Sequence, residues 1–121
     1  MNDITRLVER YVALWNEADE NLRRRGIAEI WSEGASHFTP SIEAHGHDAL
    51  ERRIRSAHER FVGCGEYVFA LINNVDAHHG TVKFNWAMRP AKGGDVVSVG
   101  FDFLMLDSDG RIQADYQFIE P

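Results

Sequence analysis

The sequence predicts an α+β fold in which three N-terminal helices pack on a curved, mostly antiparallel sheet. Three observations carry this. Apolar residues recur at helical spacing as far as Phe61, the period changes to two from Glu66 onward, and turn segments at 78–80, 91–95 and 108–110 divide the second half into long strands. With 121 residues, 44% of them hydrophobic and 26% charged, residues 1–121 suffice for a single domain with its own core.

In chain order, Ile4, Leu7, Val8, Tyr11, Leu14, Trp15 and Ala18 mark the first helix, with Asp3 placed to cap its first turn. Asp19 caps a second, whose stripe is Leu22, Ile27, Ile30 and Trp31 and which Gly34 is placed to end. A short extended piece, 35–39, stops at Pro40. Asp48 caps the third helix, with Leu50, Ile54, Ala57 and Phe61 on one face and Gly63 and Gly65 breaking it. Runs 66–77 and 81–89 follow, joined by a hairpin turn at His78-His79-Gly80. Strands over 96–106 and 111–119 complete the chain.

Alternation assigns the sheet faces. Val82, Phe84, Trp86 and Met88 share one side of their strand. In the next, Ser98, Gly100, Asp102, Leu104 and Leu106 lie opposite Val97, Val99, Phe101, Phe103 and Met105. Both sides of that strand are largely apolar, so helices should cover one and a second copy of the chain the other, giving a homodimer.

Charge and composition narrow the function. The formal charge is −6 and the pI about 5.4, which disfavours nucleic acid and anionic membrane surfaces as partners. The runs 23–25 and 52–53 are basic but sit among acidic residues on helices, where solvated faces are expected. A lone cysteine, Cys64, and a start without an apolar leader segment suggest a cytoplasmic protein. The glycine pairs continue into no P-loop or dinucleotide fingerprint, and no Gly-x-Ser-x-Gly elbow occurs. His45, His47 and the His78-His79 pair lack the companions of a metal site, so neither a metal nor any other cofactor is expected.

Polar residues in apolar places are the more informative signal. Tyr11 falls in the buried stripe of the first helix, and Asp102 shares a strand face with Leu104 and Leu106, where a carboxylate needs a partner or a proton. His37 and Thr39 flank Phe38, and Asp115 lies between Gln113 and Gln117, opposite Ile112, Ala114, Tyr116 and Phe118.

The segments 10–16, 27–40 and 46–54, with 100–102 leading into Asp109-Gly110-Arg111-Ile112, resemble in order and spacing the nuclear transport factor 2-like superfamily, which includes SnoaL-like polyketide cyclases and ketosteroid isomerases. The resemblance implies a cone-shaped pocket between sheet and helices and dimerisation through the outer sheet face. It also places the isomerases' oxyanion-hole tyrosine on Tyr11 and their protonated aspartic acid on Asp102. The isomerase base has no counterpart, because Thr39 stands where an aspartate precedes the proline, and Thr39 cannot abstract a proton at neutral pH. Epoxide-hydrolase relatives use an acidic residue near Asp115, but their arginine and second aspartate are not matched.

The expected function is an acid–base isomerase, cyclase or hydrolase for a small apolar molecule. Tyr11 and Asp102 would stabilise an oxyanion, His37 or Asp115 would move the proton, and Trp15, Trp31, Thr39, Phe84, Trp86, Met88 and Ile119 would line the pocket. A non-catalytic dimeric binding protein of the same fold is the alternative.

Overall fold

The computed structural model describes residues 3–120. Helix α1 (Asp3–Asn16) buries Val8, Tyr11, Val12, Leu14 and Trp15, the stripe that its periodicity defines. Helix α2 (Glu20–Ile30) is capped by Asp19, whose carboxylate accepts the Leu22 amide at 2.9 Å. Its apolar stripe is shorter than expected. Leu22 is 48% exposed, and Trp31 has already turned extended to pair with Ile112. Strand β1 (Trp31–Phe38) therefore starts where the helix was expected to continue, and an irregularity between Trp31 and Ser36 takes up Gly34, which does not act as a helix cap.

After a short β2 (Glu43–His45), α3 (Gly46–Ala57) begins before Asp48, so Asp48 is a first-turn residue rather than the cap. Gly46 enters the helix at φ +84°, a conformation glycine adopts without strain. The helix then widens into one π turn (His58–Val62), closed by the Gly63 amide donating to the His58 carbonyl at 2.7 Å.

Strands β3 (Tyr67–Leu71), β4 (Asp76–His78), β5 (Thr81–Pro90), β6 (Ser98–Leu106) and β7 (Ile112–Glu120) complete a sheet of order β2-β1-β7-β6-β5-β3, with β4 also on β5. Every pairing is antiparallel except β1 with β7. The expected run over 66–77 is two strands, because Asn74 turns its side chain to both the amide and the amide side chain of Asn85. The β4–β5 hairpin has positive φ at His79 and Gly80, as a two-residue type I′ turn requires.

Register positions the site. Phe84, Asp102 and Gln117 form one row across β5, β6 and β7, and Trp86, Gly100 and Ile119 form the next. On β7's other side His37 pairs with Asp115. A register shift between Met105 and Leu106 turns Ile112 inward and leaves Gln113 exposed, reversing both from simple alternation. Gly100 permits a close approach: a Cβ there would fall inside the indole of Trp86.

The inner face and helices enclose one cluster that includes Tyr11, Trp15, Trp31, Phe84, Trp86 and Leu104. The basic runs are not uniformly solvated. Arg24, Arg25 and Arg52 are exposed, but Arg23 is buried with its Nε 3.0 Å from the buried Glu51, tying α2 to α3, and Arg53 faces inward. Both inward arginines follow helix periodicity, four residues before Ile27 and Ala57 respectively. On the outer face Val97, Met105, Tyr116 and Phe118 are exposed and Phe101 and Phe103 half-buried. Among the described residues no helix is long and apolar enough to cross a membrane.

Candidate active site

A cavity of about 210 Å³ lies between α1, α3 with its π turn, and the inner sheet face. Its apolar wall includes Trp15, Ala57, Phe61, Phe69, Trp86 and Met88. The polar groups on the wall are Tyr11, Arg53, Ser98 and Gln117. Phe69 meets Trp86 edge-on, with centroids 5.4 Å apart, and the Arg53 guanidinium lies 5.1 Å from the Trp15 ring centre.

Behind Tyr11 is a chain of buried polar groups. The Tyr11 hydroxyl lies 2.9 Å from Asp102 Oδ2 and 2.5 Å from Asp115 Oδ2. The Trp86 indole N–H donates to Asp102 Oδ1 at 2.6 Å, with the Gln117 amide 3.4 Å from the same oxygen. His37 Nδ1 is 2.8 Å from Asp115 Oδ2, and Arg53 Nε donates to His37 Nε2 at 3.3 Å. Arg53 also donates to the Gln117 side-chain oxygen at 3.1 Å. His37, Asp102 and Asp115 are essentially without solvent exposure.

Counting protons requires one of the two carboxyls in this chain to be protonated. A hydroxyl carries one hydrogen, so Tyr11 donates to one carboxyl only, and its other contact is a hydrogen bond only if that carboxyl is protonated. When Asp102 holds that proton, Asp115 Oδ2 accepts from both Tyr11 and His37 Nδ1. Asp102 Oδ1 accepts from Trp86, leaving Oδ2 to hold a proton directed at Tyr11. Arg53 donates to His37 Nε2, so the imidazole carries its single proton on Nδ1 and is neutral.

The electrostatics agree. Burial, then the neighbouring Asp115 charge, raises the Asp102 pKa well above the carboxylate range, although the Trp86 and Tyr11 hydrogen bonds oppose this. Burial also raises Asp115, to about 6, against the pull of Asp102, Tyr11 and Arg53. Burial and then the Arg53 charge push His37 down to about 4. Tyr11, buried beside two acids, is raised well above its ordinary value and stays protonated.

The structure thus joins Tyr11, Asp102, His37 and Asp115 in one network. Tyr11 is the member on the cavity wall. Of the residues expected to line the pocket, Trp15, Trp86, Met88 and Ile119 do. Trp31 and Phe84 instead pack against the Tyr11 ring in the solid core, with centroids 5.9 and 5.4 Å away. Thr39 lies in the turn after β1, where its hydroxyl accepts the Ser41 and Ile42 amides at 3.2 and 2.9 Å. Arg53, Gln117, Phe61, Phe69 and Ser98 line the cavity without having been anticipated. Helix period from Leu50 to Ala57 would have turned Arg53 inward, and the strand period of Asp115 would have done the same for Gln117.

The remaining histidines have partners of their own: His45 contacts Ser36 and Glu43, His47 faces the Trp31 and Ser32 carbonyls, His58 faces the Trp15 carbonyl, and His78 faces His79. Among the described residues no three His, Cys, Asp or Glu side chains are grouped to hold a metal ion.

No protein-family model and no curated protein matches the sequence. Solved structures do. A candidate isomerase of the SnoaL-like family from Agrobacterium tumefaciens is 28% identical, with all of both chains covered and a TM-score of 0.89. A candidate polyketide cyclase from Sinorhizobium meliloti shares the fold at 15% identity, 92% of each chain and a TM-score of 0.69. A nuclear transport factor 2-like protein of unknown function from an Exiguobacterium species does so at 22% identity, 94% of this chain and 98% of its own, with a TM-score of 0.68. The chain thus has the fold of the SnoaL-like and nuclear transport factor 2-like proteins, and over its full length it is similar to a candidate isomerase of the SnoaL-like family.

Proposed function

We propose that the protein is an acid–base enzyme of the isomerase or cyclase type, acting on a small, largely apolar carbonyl compound held in the cavity. The observation that carries this is the Tyr11 hydroxyl, set on the cavity wall within hydrogen-bond distance of both the Asp102 and the Asp115 carboxyls. A proton leaving the substrate enters at the Tyr11 oxygen while Tyr11's own proton passes to Asp115, and the reverse transfer returns a proton to another atom of the substrate. Tyr11 need not ionise at any stage, because it gains one proton as it loses another. Asp115, held at about 6, is poised to accept near neutral pH. Asp102 supports the hydroxyl from behind, and His37 orients Asp115 as a neutral donor. The likeness to a candidate isomerase and a candidate cyclase supports the same reading.

One observation favours a second reading. His37, Asp102 and Asp115 are absent from the cavity wall, as a non-catalytic binding protein would allow. Deuterium exchange from heavy water into a panel of small cyclic ketones separates the two. An enzyme accelerates exchange, and Tyr11→Phe or Asp115→Asn lowers it by two to three orders of magnitude. A binding protein takes up the ketones without exchange above the protein-free rate.

The outer face supports a homodimer, because Val97, Met105 and Phe118 would otherwise stay in water. Sedimentation should give a dimer at micromolar concentration, and Phe103→Glu should weaken it while leaving the helical signal intact. A monomeric wild-type chain would refute this.

A further inference from the structure

Arg53 is placed unlike the other arginines and lysines among the described residues. It reaches from the inward side of α3 to the cavity wall, half-buried, with its guanidinium against Trp15. Its hydrogen-bond partners are both neutral acceptors, His37 Nε2 and the Gln117 oxygen. The other arginines of α2 and α3 either lie within 4.0 Å of a carboxylate, as Arg23, Arg24 and Arg55 do, or are exposed to solvent, as Arg25 and Arg52 are. Arg53 has no carboxylate partner among the described residues. The Asp115 anion is held from it by the neutral His37 ring.

A guanidinium carries five N–H donors in a planar fork, and two are engaged here, so three remain. A cation with unfilled donors on the wall of an apolar cavity loses solvation, and burial lowers its pKa although the more distant Tyr11, Asp115 and Asp102 groups oppose this. An anionic ligand group would fill that deficit, and a carboxylate matches the fork in two parallel hydrogen bonds. Size limits the rest of the ligand. An apolar cavity of about 150 Å³ holds a benzene molecule, so about 210 Å³ holds one ring with a small substituent. Trp15, Phe61, Phe69, Trp86 and Met88 offer that ring aromatic and thioether surface.

We infer that the ligand of this cavity is a small monocyclic carboxylic acid, or an open-chain acid of similar bulk, whose carboxylate is held by Arg53 while its apolar body fills the space beside Tyr11. The inference rests on the cavity being the active site proposed above and names the class of substrate it takes. Arg53 would then fix the acid end, leaving the reacting part of the molecule to Tyr11.

Isothermal titration of the intact protein with benzoate, phenylacetate and cyclohexanecarboxylate against their neutral amides tests this without requiring turnover. Each acid should bind at least tenfold more tightly than its amide. Arg53→Met should abolish the difference, and Arg53→Lys should keep part of it, since the charge remains but the planar fork does not. Equal affinity of acid and amide for the wild-type protein would overturn the inference, whether or not the variants fold. So would an acid preference that survives in folded Arg53→Met. Exchange into neutral ketones with no acid preference would overturn this inference alone, whereas acid-selective binding without any exchange would overturn the catalytic reading and leave this one standing.

Discussion

Replacing Gly100 by alanine should damage both the fold and the site, against the usual effect of that change. Where glycine has an ordinary strand conformation, alanine commonly stabilises by about 0.4–1 kcal/mol through the unfolded chain. At Gly100 the added Cβ would lie within the Trp86 indole, so the ring must leave its place. That ring packs edge-on against Phe69 and donates its N–H to Asp102 at 2.6 Å. Overpacking costs about 1–3 kcal/mol. Losing a hydrogen bond to a buried carboxyl costs about as much again. The expected loss is therefore about 2–6 kcal/mol, a large part of the ~5–15 kcal/mol that holds a domain together. Urea unfolding followed by tryptophan fluorescence measures it. Gly34→Ala is the control, because nothing lies within 4 Å of a Cβ at Gly34 and its φ is not positive; it should change stability by less than about 1 kcal/mol. A Gly100→Ala protein within about 0.5 kcal/mol of wild type would refute the close approach and the role given to Trp86.

Two further predictions concern buried charge. Asp115 is raised from 3.8 to about 6, so its contribution is fully present below about pH 4 and is lost as pH rises through 6. His37 is lowered from 6.5 to about 4, so its contribution is present above about pH 6.5 and is lost as pH falls through 4. Each amounts to about 3 kcal/mol with opposite slope, so the two nearly cancel in the wild type. Relative to wild type, Asp115→Asn should gain about 3 kcal/mol of stability from pH 4 to 6.5, and His37→Gln should lose about 3 kcal/mol from pH 4 to 6, both read from urea midpoints; parallel curves for all three would contradict the assignment. In the Arg23–Glu51 pair, removing either partner alone should cost about 3–5 kcal/mol in the same assay, whereas Arg23→Met with Glu51→Leu should recover most of it. A double variant no more stable than either single one would show that the pair itself is required.

Long periodic segments made the architecture readable from sequence. The α1 stripe and the alternation of β5 and β6 appear as expected, because each is set by which residues must leave water. What alternation misplaced were Ile112 and Gln113, since an irregular register depends on the neighbouring strand. Trp31 suits the end of a helix as well as the start of a strand, and pairing with Ile112 decides between them. Within the site, Tyr11 and Asp102 stood out because they are polar among apolar neighbours. Their convergence with Asp115 and His37 required the parallel β1–β7 pairing, which no local pattern announces. Arg53 and Arg23 were hidden differently. Their runs read as basic and exposed, and only helix phase separates the inward member of each from its neighbours.

The central claim is that one carboxylic proton resides on Asp102 at neutral pH, directed at Tyr11, while Asp115 is ionised. Infrared difference spectra in light and heavy water across pH 4 to 8, comparing wild type with Asp102→Asn and Asp115→Asn, test it most directly. The account predicts a protonated carboxyl band at pH 7 that shifts in heavy water, is missing in Asp102→Asn and persists in Asp115→Asn, beside a second carboxyl that ionises near pH 6 and is missing in Asp115→Asn. A wild-type spectrum at pH 7 with no protonated carboxyl would contradict it.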